Sequence, residues 1–289
     1  QIPAITGSTN LDGMTAFEKV TVVPDYAGSL TITAVDSNVA AGATLTVTGS
    51  NNSIFSPTGA LVFDGSAETD GKFVITSGYG NDAITTGAGA DSITSGEGND
   101  IVSSGTGNDT VNSGGGDDFV VGDLGNDLIN GGAGNDTLYG DLGSPFPASG
   151  GNDTINAGSG ADVVFGGLGA DIIDVGAGDG NVDTLYYTSV AESAGAIVDQ
   201  VSGFLGGVGG DVINLTFFTP SQAFVGNGSS FGQSQALIVN GDGIIQVVFQ
   251  VDDQVLWADV NDDGALNADD LQIHLIGVTA LDAGNLALS

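Results

Sequence analysis

The chain has no cysteine, one histidine (His274) and only two basic residues, Lys19 and Lys72, set against 36 acids. Disulfides and thiolate metal sites are excluded, and zinc has no usual ligand set. A formal net charge of −34 opposes a compact state by self-repulsion unless something neutralises it. The same lack of bases excludes nucleic acid and anionic membrane surfaces, both of which need Lys or Arg. No run approaches the roughly 18 apolar residues of a bilayer span, so no transmembrane segment is expected. The N-terminus lacks a basic region followed by an apolar core, so no Sec-type leader is read there. With Gln1 at its start, the sequence reads as a processed or excised part of a longer product. No histidine cluster, no cysteine nucleophile and no G-x-S-x-G motif is read, and one histidine supports no serine–histidine arrangement, so the chain is not expected to be an enzyme.

What is abundant is glycine, 50 residues of it, and aspartate at a nearly fixed interval. Asp82, Asp91, Asp100, Asp109, Asp118, Asp127 and Asp136 stand nine residues apart. Asp153, Asp162 and Asp171 keep that step after an eight-residue insertion, and Asp183 follows a three-residue one. A glycine-rich turn precedes each Asp, and an apolar residue comes two positions after it, from Ile84 and Ile93 through to Ile173 and Leu185. Gly131–Tyr139 and Gly166–Asp174 are clear copies of the pattern G-G-x-G-x-D-x-U-x. Each part has a task. Glycine allows positive φ and close backbone approach, so carbonyl oxygens can turn toward an ion. Asp supplies a hard anionic oxygen, and x-U-x makes a short strand with U inward. Units of such a short period must stack, because one alone cannot bury its apolar face. Carboxylates then fall into columns, tolerable if cations sit between them. Oxygen-only ligands in flexible loops suit several Ca²⁺ ions rather than Mg²⁺ or a transition metal.

These repeats resemble the RTX family, and the resemblance spans roughly residues 60–289. It implies an all-β chain whose centre is a right-handed parallel β-roll, a β-solenoid with flanking β segments, two repeats to a coil. It also implies one column of Asp82, Asp100, Asp118, Asp136, Asp162 and Asp183, and another of Asp91, Asp109, Asp127, Asp153 and Asp171. Pairing neighbours within columns gives about nine ions at the upper end. Several first glycines are replaced (Ser77, Thr86, Ser95, Ser104, Ser113, Ala157), which should weaken turns only slightly. The insertion Ser144–Gly151, with Phe146 as a minor contact candidate, reads as a surface loop. One sheet would present Ser92, Thr94, Thr110, Asn112, Asn130, Thr154 and Asn156 outward; the other Ile101, Phe119, Val121, Tyr139, Val163 and Phe165. The second is expected to be covered by flanking segments or another molecule.

Three regions follow. Residues 1–76 hold strand-like runs, among them Leu30–Val35 and Thr44–Thr48, readable as irregular solenoid coils or as a β-sandwich. Residues 77–186 are the calcium-binding roll. Residues 187–289 form a β cap that includes strand-like runs such as Ala236–Val239; no helix is expected anywhere. Within this cap Asp259, Asn261, Asp263 and Asp270 match the D-x-N-x-D-G spacing of an EF-hand-type loop, with Asp270 one methylene shorter than the usual Glu. Leu271–Ile276 alternates like a strand, so this reads as a calcium loop between strands, with His274 an outward strand residue. Asp183–Ser189, Asp199–Phe204 and Gly210–Leu215 resemble the segment after RTX arrays, and Trp257–Leu288 the end of such proteins, where type I secretion machinery reads an uncleaved signal. The expected function is a calcium-folded structural domain of a secreted bacterial cell-surface protein, S-layer-like or adhesin, with self-association or other surface components as partners. The alternative is the C-terminal module of a secreted exoenzyme.

Overall fold

The computed structural model describes residues 9–10, 19–21, 30–35, 39–48, 59–142, 150–194, 196–207, 209–215, 222–235 and 244–288. Phe146 and the run Ala236–Val239 lie outside the described residues. The chain divides into two compact units, Gln1–Leu142 and Gly143–Ser289.

The first unit contains β1 (Thr9–Asn10), β2 (Lys19–Thr21), β3 (Leu30–Val35), β4 (Thr44–Thr48), β5 (Leu61–Ala67) and β6 (Lys72–Tyr79). It continues with β7 (Ala83–Thr85), β8 (Ser92–Glu97), β9 (Ile101–Ser103), β10 (Thr110–Gly115), β11 (Phe119–Val121), β12 (Leu128–Ala133) and β13 (Thr137–Tyr139). Odd-numbered strands form one sheet and even-numbered strands the other, each in chain order. Neighbours are parallel: Val111 pairs with Ile93 and Ile129, Val120 with Val102 and Leu138. The nine-residue period dictates this. One repeat supplies a strand and a glycine turn, so the chain returns to the same sheet every second repeat. β3–β5–β7 and β4–β6 are parallel as well, the pairing of stacked coils and not of an antiparallel sandwich.

The core is the inward row. Ile84, Ile93, Val102, Val111, Val120, Ile129 and Leu138 are buried, and toward the N-terminal end Leu45, Ile75 and the edge-to-face pair Phe63–Phe73 fill the same space. The serines and threonine in place of first glycines are buried as well, and their hydroxyls bridge coils: Ser77 Oγ donates to the Ser95 carbonyl (2.7 Å), Thr86 Oγ1 to that of Ser104 (2.6 Å). Ser95, Ser104 and Ser113 continue the ladder. These substitutions therefore add coil-to-coil bonds where only a weaker turn was expected. True glycine is needed elsewhere: at Gly125 (φ 135°) an added Cβ would lie 1.3 Å from the Gly107 carbonyl oxygen.

The outward faces depart from expectation. Val121 is buried, whereas Ile101 is 59 % and Phe119 39 % exposed, so nothing among the described residues covers those two. The polar sheet is interrupted by exposed Leu128, in register with Thr110, and in the second unit by exposed Ile172.

The second unit comprises β14 (Thr154–Ser159), β15 (Val163–Phe165), β16 (Ile172–Asp174), β17 (Thr184–Tyr186), β18 (Asp199–Ser202) and β19 (Val212–Asn214). After these come β20 (Gln222–Gly228), β21 (Ile245–Gln250), β22 (Val255–Asp259), β23 (Leu271–Leu275) and β24 (Leu286–Ala287). Here β15–β17–β19–β24 and β14–β16–β18–β23 are parallel rows. β22 then runs antiparallel to both β23 and β21, which ends the coil pattern. Contrary to the helix-free expectation, Phe231–Gln235 forms a five-residue helix, α1, and Val190–Glu192 and Ala283–Asn285 form 3₁₀ turns.

Candidate metal centres

Stacking coils places the repeat aspartates in file. In the first unit one file is Asp82, Asp100, Asp118 and Asp136: each earlier residue's backbone N–H donates to Oδ1 of the next, at 2.8, 2.8 and 2.9 Å. Asp91, Asp109 and Asp127 form the other file, at 2.7 and 2.8 Å. In the second unit Asp153 donates to Asp171 and Asp162 to Asp183, both at 2.9 Å, across the inserted residues before Asp183. Each file then runs on to an aspartate outside the nine-residue array. Asp171 N–H donates to Asp199 Oδ1 (2.9 Å), and Asp183 N–H to Asp211 Oδ1 (3.0 Å). The sequence reading passed over Asp199 and Asp211 as ligand-type positions. The signal was there in D-x-U, as Asp199-Gln200-Val201 and Asp211-Val212-Ile213, but without the period.

One oxygen of each carboxylate is thus committed to a neighbouring amide. The other, Oδ2, is buried without a hydrogen-bond partner in Asp82, Asp91, Asp100, Asp109, Asp118 and Asp171; the hydroxyls beside the first five, on Ser77, Thr86, Ser95, Ser104 and Ser113, lower the carboxyl pKa but donate to carbonyls of the next coil. A buried orphan acceptor costs free energy, so it calls for a proton or a cation. The surroundings are oxygen-rich: a Cβ added at Gly122 would stand 2.5 Å from Asp127 Oδ2 and 2.8 Å from the Gly140 carbonyl oxygen. At Gly166 it would stand 2.5 Å from Asp171 Oδ2. Glycine therefore keeps open a hollow between carboxylate and carbonyl oxygens. No group of three or more acidic or histidine side chains gathers at one point among the described residues. A hard cation fitting these hollows would take its remaining ligands from backbone carbonyls, as Ca²⁺ readily does.

Burial also shifts the titration of these groups. Asp100, Asp109 and Asp183 are pushed up to about 7 from the ordinary 3.8, chiefly by desolvation and against the pull of the ladder hydrogen bonds. Asp82, Asp91, Asp127 and Asp171 rise to about 6 for the same first reason. Asp199 rises to about 8, desolvation being reinforced by the Asp171 charge.

The ends of the files are built differently. Asp199 Oδ2 accepts the Tyr187 hydroxyl (2.8 Å) and Asp211 Oδ2 accepts the Leu205 N–H (2.6 Å). Both carboxylates are therefore fully satisfied by protein donors.

The tail loop joins antiparallel β22 and β23 and carries the four named residues, whose carboxylates turn to the loop's own amides and do not gather at one point. Asp259 accepts from Asp263 N–H (3.3 Å) and Gly264 N–H (3.0 Å). Asp270 accepts from Val260 N–H (3.2 Å) and Asn267 N–H (2.9 Å). Asn261 Oδ1 accepts from Asp263 N–H (3.1 Å), and Asp263 Oδ1 from Ala265 N–H (2.8 Å). Asp259 and Asp270 are buried, and Asp270 is pushed up to about 6 by desolvation, with Asp259's charge adding to it. His274 lies on β23 opposite Val255 and Gln200, half-buried and away from this loop's oxygens.

The reading that no G-x-S-x-G motif is present is corrected: Gly228-Ser229-Ser230-Phe231-Gly232 has that spacing, at the junction of β20 and α1. No hydrogen bond joins Ser230 to His274, the chain's single histidine, so no nucleophile is assigned.

A family model described as the RTX calcium-binding nonapeptide repeat matches residues 76–111, 112–146 and 147–182. No curated protein matches the chain.

Proposed function

From residues 76–182 being RTX nonapeptide repeats, which bind multiple Ca²⁺ ions and mark a structural domain of a secreted protein, we propose a finer reading. The chain is a calcium-folded domain of a bacterial cell-surface protein of S-layer or adhesin type, exported by type I secretion machinery. Its ions lie along the aspartate files from Asp82 to Asp183, and one more sits in the Asp259–Asp270 loop. The carrying observation is the row of buried Oδ2 atoms without partners beside glycine-opened hollows. Self-association through the exposed Ile101–Phe119 strip is part of this reading. No helix among the described residues is long and apolar enough to cross a membrane.

Calcium would couple to folding because it binds the stacked state and not the open chain. Each site held at 100-fold excess over its dissociation constant adds about 2.7 kcal/mol. In calcium-poor surroundings self-repulsion of the −34 chain dominates, which suits passage through an exporter. The test is far-UV circular dichroism on the calcium-free chain. Millimolar Ca²⁺ should convert a coil spectrum to a β spectrum, EGTA should reverse it, and Asp109→Ala should raise the calcium concentration required. A spectrum indifferent to calcium would overturn the reading.

A further inference from the structure

We infer that Glu68, which lies outside the matched repeats, and Asp91, which lies within them, build an additional calcium site at the N-terminal end of one aspartate file. This rests on the proposal that the files hold calcium. One coil before Asp91 the repeat position is occupied by Phe73, whose N–H donates to Asp91 Oδ1 (2.7 Å) just as Asp91's own N–H donates to Asp109. Phe73 keeps the ladder but brings no carboxylate; its ring is buried against Phe63. The file would end there without a second anion. Glu68 supplies one from the same turn. Its carbonyl accepts the Ala88 N–H (2.9 Å), which lays it against the Thr86–Asp91 turn.

Three observations mark Glu68 as a ligand rather than a structural acid. Its side chain divides its oxygens as Asp91 and Asp109 do: Oε1 accepts the Gly71 N–H (2.8 Å) and the Asp70 N–H (3.3 Å), while Oε2 is buried without a hydrogen-bond partner, and the residue is only 2 % exposed. By contrast Glu192, Asp199 and Asp211, which belong to no proposed ion site, have both oxygens engaged by protein donors. Second, the hollow is oxygen-lined: a Cβ added at Gly87 would stand 2.4 Å from the Glu68 carbonyl oxygen and 2.7 Å from that of Gly65. Third, Ala88 N–H, in the turn that leads to Asp91, donates to the Glu68 carbonyl (2.9 Å), so the two residues share one neighbourhood. Two carboxylates and backbone carbonyls are a hard, all-oxygen donor set suited to Ca²⁺.

The experiment counts calcium bound to the full chain at saturation by native mass spectrometry, with affinities from titration. Glu68→Gln, nearly isosteric, should bind one ion fewer than wild type with the same β spectrum. Glu68→Asp, which keeps the charge but withdraws the oxygens by a methylene, should weaken one site by about tenfold and leave the rest. An unchanged count in Glu68→Gln overturns the inference and leaves the files intact. If Glu68→Gln loses its β spectrum, Glu68→Asp decides: wild-type affinity at every site overturns the inference. Absence of bound calcium in the wild type would instead overturn the reading on which it rests.

Discussion

A carboxylate has two oxygens, and in this chain their division separates ion-type positions from closing positions. Asp82, Asp91, Asp100, Asp109, Asp118 and Asp171 give Oδ1 to an amide and keep Oδ2 without a hydrogen-bond partner. Asp199 and Asp211 take the same place at the far ends of the second unit's files, but tyrosine and backbone donors complete them. Removing the tyrosine hydroxyl tests this. Tyr187→Phe leaves Asp199 Oδ2 buried and unsatisfied, which should cost about 1–3 kcal/mol. The readout is the urea midpoint of the calcium-loaded chain; an unchanged midpoint would show that the hydroxyl does not complete the file. The residue level also shows what the sequence displayed and what it hid. Asp82 to Asp183 were legible because period and D-x-U coincide. Asp199 and Asp211 keep D-x-U but follow their file partners by 28 residues, so period alone misses them. Glu68 was hidden because it lies off the aspartate register. Its role depends on stacking, which only coordinates reveal.

Strands were legible in position more than in pairing. Leu30–Val35 and Thr44–Thr48 stand where their Val, Ile and Thr content puts them. An alternating pattern is common to parallel coils and antiparallel sandwiches, however, so it left residues 1–76 open between the two. The fixed spacing of the repeats carried the missing information, since only a return every 18 residues aligns Ser92, Thr110 and Leu128. Outward faces were less legible. Val121 is buried, while its strand neighbour Phe119 lies open beside Ile101 and 5.5 Å from the Tyr139 ring. The five-residue α1 escaped notice because glycine and serine around it carry no helical period. The open strip on β9 and β11 makes a prediction at this level. Ile101→Ser with Phe119→Ser removes exposed apolar surface, so the unfolding free energy should move by no more than about 0.5 kcal/mol. Calcium-dependent association in analytical ultracentrifugation should fall. Equal association by the variant would assign the strip no part in assembly.

For the molecule as a whole, protons and calcium are alternative ways to neutralise one set of buried carboxylates. The folded values of Asp82, Asp91, Asp100, Asp109, Asp127, Asp171 and Asp183 stand at about 6 to 7, against 3.8 for the unperturbed group. Between those limits the folded chain holds more protons than the unfolded one, so stability must fall as pH rises. The contribution is fully present below about 4 and is lost as pH climbs through 6 and 7. Self-repulsion of the 36 acids acts in the same direction. Without calcium, then, the chain should hold more β structure, and resist urea further, at pH 5 than at pH 8, where it is coil. With saturating calcium the order should invert, because a carboxylate must lose its proton before it can serve as a ligand. Equilibrium urea titrations at the two pH values, with and without EGTA, check both halves. A calcium-free chain more stable at pH 8 than at pH 5 would mean that the files are neutralised by something other than the proton or the ion. The surviving explanation would be that the amide ladder alone holds the carboxylates in their ionised form.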